Sequence, residues 1–146
     1  IGFPPFTEGP IPTAAGVIIE EPDGRVWLMK SSNGFADAHT SFPKGRQDPG
    51  LSLQATAIKE AYEETGLKVK LVGVMEKDFQ RGPTHIRYYI GRRVGGTPLD
   101  MGWESQGLRL VPADQLDLLL PHEYDQQVIE AYHKNQIRRL DRTPEN

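Results

Sequence analysis

The 146-residue chain contains no cysteine. That excludes disulfides and every zinc or iron–sulfur centre built on thiolates, so a metal would bind through oxygen or nitrogen alone. Long apolar runs are missing too: Leu116 to Pro121, interrupted by Asp117, falls far short of the roughly 20 residues that cross a bilayer. The first residues lack the basic-then-apolar pattern of a signal peptide, so a soluble, cytoplasmic protein with no membrane partner is the expectation. There is no basic excess, since 17 Lys+Arg against 20 Asp+Glu give a net charge of −3. Such a balance argues against non-specific duplex nucleic-acid binding but leaves room for a small anion held by a few local cations. Low-complexity tracts, internal repeats and linkers are absent, and the length suffices for one core without covalent staples. Residues 1–146 therefore read as a single domain.

What is present alternates between strand and helix signals. Thr13 to Glu20 and Arg25 to Lys30 are β-branched and apolar around Pro22-Asp23-Gly24, which predicts a hairpin. Residues 31–50 read mostly as loop, and Ser52 is suited to cap a helix that ends at Gly66. Two more strands are expected at Lys68 to Phe79 and Thr84 to Val94, then a loop from Gly95 to about Glu104. Gly107 to Val111 reads as a short strand and Pro112 as a favourable first residue of a short helix. From His122 to about Arg138, Tyr124, Val128, Ala131 and Tyr132 recur at helical spacing. This order predicts an α/β/α arrangement with a mixed sheet.

The helix from Ser52 to Thr65 carries an anomaly. Glu60, Glu63 and Glu64 stand at i, i+3 and i+4, an arc of roughly 100°, while Ile58, Ala61, Tyr62 and Thr65 fall opposite. Two of the carboxylates occupy the last turn, where the helix dipole disfavours negative charge by a few tenths to about 1 kcal/mol each, and all three repel one another. A bound divalent cation is an economical reason for accepting those costs, because Mg²⁺ is usually held by one or two carboxylates completed by water and phosphate oxygens. No serine stands in a Gly-x-Ser-x-Gly context, so a covalent nucleophile has no support.

The segment Gly45 to Leu67, GRQDPGLSLQATAIKEAYEETGL, resembles the Nudix box G-x5-E-x7-R-E-U-x-E-E-x-G-U, with U apolar. Gly45, Glu60, Ala61, Glu63, Glu64, Gly66 and Leu67 match in register, whereas Leu51 stands in place of the first glutamate and Lys59 in place of arginine. In the family those two side chains commonly pair and brace the loop, so their joint loss leaves no charge alone. The resemblance implies a Nudix-like α/β/α sandwich with the loop–helix–loop box at 45–67. It implies Glu60 and Glu64 as principal ligands of Mg²⁺ or Mn²⁺, Glu63 as a direct or water-mediated third, and the Lys44 carbonyl as a backbone ligand. The reaction it implies is attack of water on one phosphorus of a pyrophosphate linkage in a nucleoside diphosphate joined to another moiety, a dinucleoside polyphosphate or an ADP-ribose-like compound. A general base would be a box glutamate, Glu63 or Glu64, or an outside carboxylate such as Glu104, with Glu123 a weaker choice. Lys44, Arg46, Arg81 and Arg87 are the cations placed near the box to receive substrate phosphates. Strand alternation puts His85, Arg87 and Tyr89 on one face, and Trp103 and Phe79 are candidates to stack on a base. Family members are often homodimers, so the resemblance leaves a homodimer open, though no exposed apolar stripe in the sequence demonstrates one. A second reading, resting on Leu51 and Lys59, is a non-catalytic nucleotide-binding sensor of the same fold.

Overall fold

The computed structural model describes residues 11–31, 39–97, 105–120 and 122–140. Trp103 and Glu104 lie outside them. Among the described residues nine strands form one mixed sheet. They are β1 (Ala14–Glu20), β2 (Val26–Ser31), β3 (His39–Ser41), β4 (Lys44–Arg46), β5 (Leu67–Met75), β6 (Phe79–Arg81), β7 (Thr84–Gly96), β8 (Ser105–Val111) and β9 (Ile137–Arg139). The helices are α1 (Leu53–Thr65), α2 (Leu116–Leu119) and α3 (Glu123–His133).

The sheet runs β3-β2-β1-β7-β5-β9, with β4 beside β1, β6 beside β7 and β8 beside β2. The β1–β7 pair is parallel and the others are antiparallel. One face is covered by α1 over Ala15, Val17, Ile19, Val69, Val74 and Tyr89. The other packs Ile18, Leu28, Phe42, Phe79, Ile86, Tyr88 and Ile90 against Leu116, Leu120, Tyr124, Val128 and Ile129 of α2, α3 and the segments that flank them. This is the expected α/β/α sandwich.

Local chemistry sets the limits of α1. The Ser52 hydroxyl accepts the Ala55 N–H at 3.0 Å, and Gly66, at φ 76°, ends the helix in the left-handed region that glycine adopts without strain. Its buried residues are Thr56, Ala57, Ala61 and Thr65, small enough to bring the helix axis close to β1 and β5. Ile58 and Tyr62, expected opposite the carboxylates, are instead partly exposed beside that stripe. The first hairpin closes as expected, with Gly24 at φ 91° and the Glu21 N–H donating to the Arg25 carbonyl.

Several boundaries differ from the sequence reading: the strand expected at Lys68 to Phe79 divides into β5 and β6, β7 runs on to Gly96 through the expected start of the loop, and β8 begins at Ser105. Residues 39–46 contain β3 and β4, which are held by backbone pairing to β2 and β1 rather than by strand-forming side chains. The last helix stops at His133 instead of running to Arg138, because Asn135 takes φ 56° and turns the chain into β9. Residues 113–115 form a 3-10 turn after Pro112. Phe79 is fully packed, edge-on to Tyr88 at 5.9 Å between ring centres, so its ring serves the core and not a nucleobase. No helix among the described residues is long and apolar enough to cross a membrane.

Candidate metal and phosphate site

The short strand β4 connects the box loop to the sheet. Its pairing with β1 places Gly16 opposite Lys44, Ala15 opposite Gly45 and Ala14 opposite Arg46. The Val17 N–H donates to the Pro43 carbonyl and the Gln47 N–H to the Thr13 carbonyl, which makes the Gly16–Lys44 pair one of the non-hydrogen-bonded pairs of the ladder. Both backbone groups of Lys44 therefore point away from β1. Its N–H donates to Glu64 Oε1 at 3.2 Å, and its carbonyl opens on the same edge. The Lys44 carbonyl is the group that the resemblance implies as a backbone ligand.

Two glutamates converge there. The position a Cβ would occupy on Gly45 overlaps the Glu60 carboxyl carbon and lies 2.5 Å from both Glu60 oxygens, so Gly45 is the gap that admits this carboxylate. The Glu60 and Glu64 carboxyl groups lie side by side, near enough for each to shift the other's titration. Burial pushes the Glu64 carboxyl up to about 8, reinforced by the neighbouring Glu60 carboxyl and its like charge, against the opposing pull of the Lys44 N–H. Burial likewise raises Glu60. Two adjacent carboxylates that relieve their repulsion by retaining a proton form a donor set whose repulsion a divalent cation would relieve instead.

Glu63 is not part of that pair. Its side chain is half exposed and lies 3.4 Å from Lys59 Nζ. Among the described residues no set of three or more Asp, Glu or His side chains closes on a common point. A site of two carboxylates and a carbonyl, leaving positions for water and phosphate oxygens, fits Mg²⁺ or Mn²⁺ better than a cage made wholly of protein.

The cations sort by sheet face. Lys44 and Arg46 share the α3-side face with Ile86 and Tyr88, their neighbours across β1. Arg81 lies on that face as well, two residues from Phe79, with its guanidinium 5.7 Å from the centre of the Tyr124 ring. Burial and the neighbouring Arg81 charge hold the Lys44 ammonium below its ordinary value, while Asp125 and Glu64 act in the opposite sense. Lys44 and Arg81 thus lie within each other's field, with Glu64 and Asp125 also acting on Lys44.

Arg87 is on the opposite face, opposite Ala15 on β1, and Asp78 engages it through two hydrogen bonds of 2.9 and 3.2 Å. The structure does not bring it together with Lys44, Arg46 and Arg81. Both partners are largely buried, so Arg87→Ala should cost about 1–3 kcal/mol in urea denaturation by stranding Asp78. The Michaelis constant should stay unchanged; an increase with unaltered stability would return Arg87 to the substrate site.

Sequence reasoning missed two residues. Asp125, in the first turn of α3, is 8% exposed, and its charge acts on Lys44, Tyr88 and Tyr124. An acidic residue at a helix start ordinarily signals only the dipole, so nothing in the sequence marked its burial. Glu123, the weaker of the two outside carboxylates, is exposed. Asp48 is the other missed residue, bonded to Lys59 at 2.8 Å.

The NUDIX domain model matches residues 10–132. With that match and the box carboxylates gathered at the β4 edge, the chain belongs to the NUDIX family. It is 33% identical over 87 residues to the RNA pyrophosphohydrolase of Caulobacter vibrioides, covering 53% of this chain and 51% of that protein. The chain thus spans about half the length of the curated relatives it matches. A NUDIX hydrolase from Nitrosomonas europaea has the same fold, with a TM-score of 0.75 at 19% identity over 90% of this chain and 95% of the other. An Ap4A hydrolase from C. elegans, solved as a binary complex, gives 0.66 at 16% identity over 84% and 96%.

Proposed function

We propose that the protein hydrolyses a pyrophosphate linkage in a nucleoside diphosphate joined to another moiety, a dinucleoside polyphosphate or an ADP-ribose-like compound, by attack of water on phosphorus. The observation that carries this reading is the meeting at β4 of the Glu60–Glu64 pair with Lys44, whose ammonium lies within the field of both Glu64 and Arg81. The names borne by the Caulobacter and C. elegans relatives, one acting on RNA and one on Ap4A, agree with a phosphoanhydride as the bond at issue.

Glu60, Glu64 and the Lys44 carbonyl would hold Mg²⁺ or Mn²⁺. When bound, the ion supplies acidification of the attacking water and neutralisation of charge on the leaving phosphate. Glu64, whose carboxyl is pushed up to about 8 by burial, would give up its proton in order to hold the ion. Lys44 and Arg81 orient the phosphate chain, and Arg46, exposed on the same face, receives its outer end. Glu63 can swing from Lys59 toward a water and serve as base.

A panel of dinucleoside polyphosphates, ADP-ribose, nucleotide sugars and nucleoside triphosphates, assayed with and without Mg²⁺, tests the reading. Metal-dependent release of a nucleoside monophosphate from one of the first three classes supports it; tight binding of a nucleotide with no product would make the protein a sensor. On the substrate so found, Arg81→Ala should raise the Michaelis constant roughly tenfold or more through loss of a charge-assisted contact, with a smaller change in turnover.

A further inference from the structure

The box lacks the glutamate and arginine expected at positions 51 and 59, yet its loop is tied to α1. Gly50 takes φ +87°, the Leu51 N–H donates to the Asp48 carbonyl at 3.1 Å, and the Gln47 side-chain amide donates to the Leu51 carbonyl at 2.7 Å. Residues 47–51 thereby fold into a tight turn. The turn presents the Asp48 carboxylate to Lys59, whose ammonium lies 2.8 Å from Asp48, 3.4 Å from Glu63 and 3.8 Å from Glu60. Lys59 precedes Glu60 in the helix, and the loop it grips begins at β4, which carries Gly45 and the Lys44 carbonyl.

We infer that Asp48 and Lys59 are positioning residues that together replace the missing pair of positions 51 and 59, fixing β4 against α1 so that the Lys44 carbonyl and the Glu60–Glu64 pair keep one geometry. The inference rests on the metal reading proposed above. Lys59 also draws Glu63 away from Glu60 and Glu64, which accounts for a site of two carboxylates instead of three. A lysine ammonium, lacking the planar fork of arginine, can bridge three carboxylates from one point, and the turn brings Asp48 to it where the apolar Leu51 has nothing to offer.

The test is Mn²⁺ affinity, read from the free-ion signal in electron paramagnetic resonance, together with amide exchange at Lys44 to Arg46 in metal-free protein. The chains compared are the unaltered protein, Asp48→Asn, Lys59→Met, and the triple variant D48N/L51E/K59R. Coulomb's law alone says that removing a cation beside an acidic site tightens Mn²⁺. A brace says the opposite, so Lys59→Met should weaken Mn²⁺ roughly tenfold, as outer-shell losses do, and speed exchange of the three amides. Asp48→Asn should act alike, and the triple variant should return both quantities to within about twofold of the unaltered protein, the charge-assisted pair being restored at its usual positions. Unchanged or tighter Mn²⁺ in Lys59→Met, or no recovery in the triple variant, overturns the inference. Should the unaltered protein bind no Mn²⁺, the metal reading fails, and the exchange rates still decide whether Asp48 and Lys59 hold the loop.

Discussion

Glu64→Gln should lower metal-dependent turnover by at least about a hundredfold while raising the thermal midpoint of the metal-free protein at pH 8. The two effects share one cause. In the unfolded chain the carboxyl titrates near 4.5, and in the fold it is pushed up to about 8. A group whose folded value is raised binds its proton more tightly in the native state, so its contribution favours folding at low pH and is lost as pH climbs from about 4.5 toward 8. The metal-free protein should therefore lose stability across that window. The side-chain amide introduced by Glu64→Gln mimics the protonated acid, can donate to Glu60 and never charges. The variant should gain about 1–3 kcal/mol at pH 8, or about 3–10 °C, and much less at pH 5, which lies only just above the midpoint of the unfolded carboxyl. Added Mg²⁺ should stabilise the unaltered protein and leave the variant unmoved. Melting curves at the two pH values, with and without Mg²⁺, give all four numbers.

The second large effect comes from one methyl group. Gly45→Ala places a Cβ on the Glu60 carboxyl carbon and within 2.5 Å of both its oxygens. The obstructed atoms end a flexible side chain, so Glu60 rotates away and the fold loses less than about 1 kcal/mol, whereas a ligand leaves the site. Turnover should fall about a hundredfold or more, and Mn²⁺ affinity with it. Gly107→Ala, where nothing lies within 4 Å of the added carbon, should change neither quantity. Gly16→Ala meets the fully buried Tyr88 ring at 2.5 Å and should cost stability first, because that ring is wedged between Phe42 and Phe79. Activity and melting data on the three variants separate a gap kept for a ligand from one kept for packing.

The contrast among these glycines bears on what sequence can carry. Ser52 and Gly66 mark the ends of α1 because a cap is a local event, decided by one hydroxyl or one left-handed residue. Glu60 and Glu64 are legible for the same reason, since four residues on a helix set their neighbourhood whatever else the chain does. Strand β4 is not, since Lys44-Gly45-Arg46 has no strand-forming side chain and is extended only because β1 pairs with it. Strand β9 is hidden behind a helical pattern that continues past Asn135, where the asparagine could be read as a stop. The fate of each cation depends on tertiary register. Arg87 and Arg81 look alike in sequence, yet one faces Asp78 under α1 and the other faces Tyr124 beside Lys44. Asp48 carries no signal of its own because its value depends on a turn that brings it to Lys59.

Hydrolysis in ¹⁸O-labelled water, on whichever linked nucleoside diphosphate the substrate panel selects, puts the question to the chemistry itself. One labelled oxygen should enter a phosphate product in each turnover, only with Mg²⁺ or Mn²⁺ present, and the rate should collapse in Glu64→Gln. A nucleotide that binds tightly and is returned intact and unlabelled at every metal concentration would contradict the assignment, and the paired glutamates would then belong to a protein that recognises nucleotides without cleaving them.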